Sequence, residues 1–150
     1  FSYFGKGSIS SLPVEVQCGY TYIDPKFRNY NEIDSIESSA NYNVLKYRYR
    51  HSIKFDASAE LNKLTVGAGF LYNSNMEAID ALFELIISGL KEYRETHKGY
   101  SVVDLRVSYP VFKNFVAGIY VNNIFNTEYA SRPGLLEAPR SMTLKLSSAF

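Results

Sequence analysis

Period-two alternation of apolar and polar residues constrains this chain more than any other feature of it. From Tyr47 to Leu61 one parity reads Tyr47, Tyr49, His51, Ile53, Phe55, Ala57, Ala59, Leu61, and the other Arg48, Arg50, Ser52, Lys54, Asp56, Ser58, Glu60. Successive side chains on a strand point to opposite faces, so this segment is a strand with one apolar and one charged face. Leu64, Val66, Ala68, Phe70 and Tyr72 repeat the pattern, reached through Asn62-Lys63, a connection suited to a tight hairpin. Val103, Leu105, Val107 and Tyr109 alternate with Asp104, Arg106 and Ser108. Val14 to Tyr22, Phe115 to Asn122 and Ser141 to Phe150 alternate as well, with Pro13 disfavouring an earlier start for the first of these. Six antiparallel strands are predicted.

The connections alternate too. Asn62-Lys63 and Lys113-Asn114 are tight, whereas Pro25 to Leu45, Asn75 to Lys98 and Phe125 to Pro139 are long. Strands at or above the roughly 9–11 residues of a spanning strand, with short turns at one end and long loops at the other, are the pattern of a transmembrane β-barrel. In the loop after Tyr72, Ile79, Leu82, Phe83, Ile86, Ile87 and Leu90 fall at helical spacing, which predicts a short amphipathic helix packed on neighbouring loops or serving as a lid or docking surface.

Composition fits that reading. The chain holds 13 Tyr and 10 Phe but no Trp, with a mean hydropathy of -0.16. Phenols, apolar in the body and polar at the tip, suit a surface that is greasy in the middle and wet at its rims. A net charge of +1 gives no footprint for nucleic acid. The lone Cys18 and two histidines, His51 and His97, exclude a disulfide within the chain and disfavour a metal site, and no cofactor is expected. Catalysis is not expected either: Ser52 and His51 point to opposite faces, and no phosphate loop is present.

Six strands of this length cannot close a barrel, whose smallest bacterial form has about eight. The chain opens Phe1-Ser2-Tyr3-Phe4, without an initiator Met or a signal sequence. The expectation is a partial barrel over residues 1–150, with earlier strands lying elsewhere in a longer polypeptide.

The run Val121-Asn122-Asn123-Ile124-Phe125-Asn126-Thr127-Glu128-Tyr129 resembles the V-x-N-L-F-N-x-x-Y segment near the end of TonB-dependent outer-membrane receptors. Pro133-Gly134, Pro139-Arg140 and a final strand ending on an aromatic, Phe150, follow in the same order and spacing. Gly19-Tyr20-Thr21-Tyr22 and Tyr47-Arg48-Tyr49-Arg50-His51 resemble a hairpin of the same family, with Tyr49 where that pattern often has proline. The resemblance implies the last six strands of a barrel of about 22 in the bacterial outer membrane, with a plug domain in the lumen. It implies active import of a scarce large nutrient, such as a ferric siderophore, haem or cobalamin. Its partners are outer-membrane lipid, the plug and remaining strands, a periplasmic energy-coupling protein reached through the plug, and in some cases a surface lipoprotein. Phe150 takes the place of the assembly signal.

On that reading Arg48, Arg50, Lys54, Asp56, Glu60, Asp104 and Arg106 face the lumen or plug, or pair with one another there, because a charge facing lipid costs about 2–4 kcal/mol at the midplane. Tyr20, Tyr22, Tyr47, Tyr49 and Tyr72 belong to the aromatic girdle at the outer interface. Tyr30, Tyr42, Tyr93 and Tyr129 are the substrate candidates of the external loops. Two other readings compete. One is a small outer-membrane barrel or adhesin without transport. The other is a soluble lipocalin-like barrel, which would need the apolar parity to face inward.

Overall fold

The computed structural model describes residues 1–148. Its long strands are β1 (Ser2–Ile9), β2 (Leu12–Tyr22), β3 (His51–Leu61), β4 (Leu64–Ser74), β5 (Gly99–Phe112), β6 (Phe115–Asn122) and, after a small hairpin of β7 (Ala130–Arg132) and β8 (Leu135–Leu136), β9 (Ser141–Ser148). They form one antiparallel sheet in the order β1-β2-β3-β4-β5-β6-β9. The all-β class, the antiparallel pairing and the alternation of connections are as expected, and the sheet holds seven long strands rather than six. The additional strand is β1. Its pairing through Ile9↔Leu12 leaves a two-residue turn of Ser10 and Ser11, both at positive φ. This is the geometry that continues the twist of a hairpin, although serine is not its usual occupant. β1 and β6 have eight residues and fall short of the expected length; β9 has eight among the described residues, and β2 to β5 have 11 to 14.

Register carries the alternation from β2 to β5. Cys18, Phe55, Phe70 and Val103 lie in one row of one face; Gln17, Asp56, Gly69 and Asp104 lie in one row of the other. Much of the apolar face is open. Tyr20, Ile53, Phe55, Phe70, Leu105, Ile119, Met142 and Leu144 are all exposed large hydrophobic residues. A soluble protein rarely leaves a contiguous surface of this kind uncovered, and a sheet meeting hydrocarbon must have one. No helix among the described residues is long and apolar enough to cross a membrane.

Apart from Val102 on β5, the core lies elsewhere. Ala40, Val44, Ala78, Ile79 and Leu90 are buried, and all belong to the long loops at one end of the sheet. There the chain forms α1 (Glu32–Glu37), α2 (Ala81–Ile86) and α3 (Leu90–Thr96). The single helix expected around 79–90 is thus two, broken at Ile87 to Gly89, where Gly89 takes a left-handed φ of 80°. α1 was not expected, yet its start is written locally: Asn31 Oδ1 accepts from the Asp34 amide and Asp34 Oδ2 accepts from the Asn31 amide, a reciprocal cap. The loops are then laced together. The Ser39 amide donates to the Ile79 carbonyl (2.9 Å), the Tyr47 amide to the Ala78 carbonyl (2.8 Å), and Ser38 bridges Asp80. At the return into β5, Gly99 has a φ of 121°, and a Cβ there would lie 2.6 Å from the Asn73 carbonyl oxygen, so only glycine fits.

Candidate functional site

The polar face of the sheet gathers five of the seven charged residues singled out from sequence. Lys54 and Glu60 stand exposed there. Arg106 reaches over β4 from β5 to Asp56 on β3, with both terminal nitrogens 2.6 Å from the two carboxylate oxygens. The path is open because Gly67 lies between them; a Cβ at that position would sit 2.5 Å from Arg106 Nε. Asp104 is occupied differently. Its Oδ1 accepts the backbone amide of Asn123 at 2.8 Å, at the foot of the third long loop.

Arg48 and Arg50 are not on that face. β3 begins at His51, four residues later than the alternation indicates, because Tyr47 has a left-handed φ of 61° and Tyr49 bridges to Met76 in the second long loop. Arg50 therefore enters the loop layer. Its Nε and one terminal nitrogen hold the Glu77 carboxylate at 2.6 and 3.0 Å, and the other terminal nitrogen reaches Asp24 at 3.0 Å. Arg48 is exposed and donates to the Tyr47 carbonyl.

The girdle candidates divide in the same way. Tyr20, Tyr22 and Tyr72 lie on the apolar face at the long-loop end of their strands. Tyr20 Oη is 2.9 Å from His51 Nδ1, and Tyr22 packs against the same imidazole. Tyr47 and Tyr49 turn into the loops instead. Tyr47 Oη donates to Asp80, whose carboxylate also takes Lys46.

Tyr49 is the centre of a hydrogen-bonded aromatic cluster. A relay runs from Asn73 Nδ2 to Tyr100 Oη (2.8 Å), from that hydroxyl to Tyr49 Oη (3.4 Å), and from Tyr49 Oη to the Ser131 carbonyl (2.9 Å). It ties the end of β4, the start of β5, the first long loop and the β7–β8 hairpin into one unit. The Tyr49 and Tyr100 rings meet edge to face at 6.1 Å, and Tyr129 lies 4.6 Å from Tyr100. Beside them opens a small cleft of about 70 Å³, floored by Met76, Ile79, Leu90 and Tyr93 and rimmed by His97 and Arg132. Tyr93 stacks on His97 at 3.9 Å. Tyr100 shares the polar face of the sheet with Asp104, so the cluster stands at the mouth of the polar side.

Of the external-loop tyrosines, Tyr93 lines the cleft and Tyr129 backs it. Tyr42 is not part of its lining and donates to Glu77 at 2.8 Å; Tyr30 packs on Phe27, with its hydroxyl buried and without a partner among the described residues. Sequence reasoning missed Tyr100, Met76, His97 and Arg132. Tyr100 carried a signal, as an aromatic on the parity otherwise given to Asp104 and Arg106.

Electrostatics in this layer follow from the contacts. Burial, reinforced by the Tyr100 hydroxyl, pushes the Tyr49 phenol far above its ordinary value; burial also raises Tyr93 and Tyr129. Hydrogen bonds from Arg50 hold the Glu77 carboxyl below its usual range, and those from Lys46 and then Tyr47 do the same for Asp80. No group of three or more His, Cys, Asp or Glu among the described residues could hold a metal ion. The apolar and aromatic lining of the cleft is suited to contact with an aromatic or apolar surface.

Comparison with solved structures gives the sheet and its cap a counterpart. The ferric-catecholate import receptor Fiu of E. coli K12, in its closed form, superposes with a TM-score of 0.71 over 99% of this chain at 21% identity. P. aeruginosa FpvA, in complex with a heterologous pyoverdine and iron, gives 0.65 over 98% at 19%. The fold is that of a TonB-dependent receptor barrel. The chain spans about a fifth of each receptor's length, 20% and 19%. No family model and no curated protein matches the sequence.

The structure also gives physical content to the run that resembles the TonB-dependent receptor signature. Asn123 and Asn126 both take left-handed φ values, 51° and 53°, which asparagine tolerates better than other side chains bearing a Cβ. The Asn123 side chain accepts from the Thr127 amide and donates to the Thr127 carbonyl, both at 2.8 Å, and the residue is 2% exposed. Asn126 Oδ1 accepts from the Arg140 amide at 2.8 Å, closing the other end of the loop. The run is a clasp that seats the third long loop on β5 and β9. Phe150, the expected assembly signal, lies outside the described residues.

Proposed function

We propose that this chain is part of an outer-membrane active-transport receptor importing a scarce, large nutrient, a ferric siderophore, haem, cobalamin or similar, by periplasmic energy coupling. The observation that carries the reading is the division of the sheet: one face apolar and open, the other polar and roofed at one end by interlaced loops. Such a sheet separates lipid from an aqueous lumen. β1 and β9 are its edges, and in hydrocarbon an edge needs a partner, so further strands complete the barrel. A plug domain, a periplasmic coupling protein and in some settings a surface lipoprotein are the partners that follow, and catalysis has no place in the scheme. The iron complexes named for Fiu and FpvA favour a ferric siderophore among the substrates.

The test is uptake. Cells carrying the full-length receptor should accumulate a radiolabelled ferric siderophore, and collapse of the inner-membrane proton gradient should stop accumulation while leaving surface binding intact. A native polypeptide close to 17.0 kDa, without a plug, would sink the transport reading and leave a small barrel or adhesin.

A further inference from the structure

α1 and α2 present an apolar ridge that the cap does not use. Ile33 and Ile36 on α1, and Leu82, Leu85 and Ile86 on α2, are between 62% and 83% exposed. Their spacings, three apart on α1 and three and four apart on α2, put each set on one face of its helix. The helices are held side by side, since α1 ends and α2 begins at the Ser38–Asp80 bridge. Five large aliphatic residues this open mark an interaction surface rather than scattered surface hydrophobicity.

Charge identifies what the ridge fits. Residues 29–45 and 77–90 contain no Lys or Arg, and carry Glu32, Asp34 and Glu37, then Glu77, Asp80 and Glu84. Glu77, Asp80 and Glu84 are matched by Arg50, Lys46 and Arg94 beneath. Glu32 and Asp34, on the ridge's own helix, form no ion pair among the described residues, and Glu37 has only Lys46 at 3.6 Å. The ridge is thus apolar along its crest and acidic along its flank. A second copy of the chain would bring the same acidic flank against it, which like charge opposes.

We infer that the α1–α2 ridge docks a cationic amphipathic helix of another polypeptide at the cell surface, its apolar stripe on Ile33, Ile36, Leu82, Leu85 and Ile86 and its lysines or arginines against Glu32, Asp34 and Glu37. This is the helix-on-apolar-face mode of recognition, with charge setting orientation and encounter rate. It rests on the reading that these loops lie outside the cell, and the experiment separates the two.

Full-length receptor bearing Cys18→Ser and Leu85→Cys, or Cys18→Ser and Ile36→Cys, is treated in whole cells with a membrane-impermeant maleimide. Labelling in intact cells is the expected result. Labelling only after the outer membrane is opened overturns the orientation and the docking with it. No labelling in either state means the receptor's own loops cover the ridge and overturns the docking alone. Disulfide-linked receptor dimers through the Leu85→Cys thiol overturn it in favour of a second copy. The same receptor, purified into discs of zwitterionic lipid, is then exposed to a synthetic amphipathic helical peptide of leucine and lysine and to its leucine–glutamate twin. The lysine peptide should slow labelling severalfold and the glutamate twin should not. Glu32→Lys with Glu37→Lys should abolish that protection. Equal protection by both peptides, protection by neither, or protection indifferent to the charge reversal overturns the inference.

Discussion

Phe55 and Ile79 are both large apolar residues, yet the fold treats them oppositely. Phe55, midway along β3, is 42% exposed, whereas Ile79, in the second long loop, is 2% exposed. The difference repeats across each region. The sheet turns Phe70, Leu105 and Ile119 outward, and the cap turns Ala40, Val44, Ala78 and Leu90 inward. One chain therefore follows two solvation rules. The cap is a small water-soluble core built from loops, with paired charges and capped helices around it. Among the described residues the sheet has no second layer, so its apolar face is left open, as a face that meets hydrocarbon would be. The same amino-acid types stabilise both regions, and the surroundings decide which direction is inside.

The sharpest way to break that contrast is to remove apolar bulk from the cap. Ile79→Ala should cost the loop layer about 2–5 kcal/mol, as a large-to-small change in a packed core does. Hydrogen exchange of residues 75–98 in the full receptor should rise steeply while amides of β3 and β4 stay protected. Uniform loosening of both regions would mean that cap and sheet are one cooperative unit. The converse change is Phe55→Arg, which places a charge near the middle of the lipid face and should cost about 2–4 kcal/mol in bilayers. Ser58→Arg, on the polar face of the same strand, should cost far less. Equal costs in reversible unfolding would deny that the two faces meet different solvents.

Acidity should act on the cap alone. Glu77 and Asp80 have carboxyls held below their ordinary values of 4.5 and 3.8 by Arg50 and Lys46. A carboxyl depressed in the folded state contributes stability that is fully present above its unfolded value and is lost as pH falls through the folded one. Protease cleavage of the long loops should therefore increase below about pH 4, with the sheet intact by infrared amide bands. The Tyr49 phenol works at the other end. Its value is raised above 10.0, so its contribution is complete below that pH and fades as pH rises further. Burial raises Tyr93 and Tyr129 in the same cluster, so Tyr49→Phe should weaken the alkaline loosening of the β7–β8 hairpin without abolishing it and leave the acid limb unchanged.

The same contrast explains what could be read from the sequence. Alternation exposed β2 to β6 and β9, because a sheet with one apolar and one polar face imposes opposite polarities on successive residues. It failed on β1, where Phe4 takes the polar parity and Gly5 and Gly7 take the apolar one. It also overran at Tyr47 to Arg50, where tyrosine and arginine keep alternating after the ladder has ended. There the pattern reflects contacts to Asp80, Ser131 and Glu77 in a folded loop, and a period of two says nothing about partners so far away in sequence. The charges on β3 and β5 were legible as one face. The cleft was not, since Tyr49, Met76, His97 and Arg132 come from three loops whose packing no local period encodes.

The smallest expected effect concerns the polar face, which should behave like an ordinary wet surface. Arg106 and Asp56 form a bidentate pair, but their side chains are 33% and 48% exposed, so screening by water limits their coupling to under about 1 kcal/mol in a double-mutant cycle. Gly67 gives an independent handle on the same contact. A methyl group at Gly67 would meet Arg106 Nε at 2.5 Å and push the guanidinium off its partner. Gly67→Ala should therefore destabilise the native receptor measurably and the Arg106→Ala receptor hardly at all. If both backgrounds lose the same amount, the cost of Gly67→Ala comes from the strand itself. The pair would then be a consequence of the register of β3, β4 and β5 rather than a contributor to it.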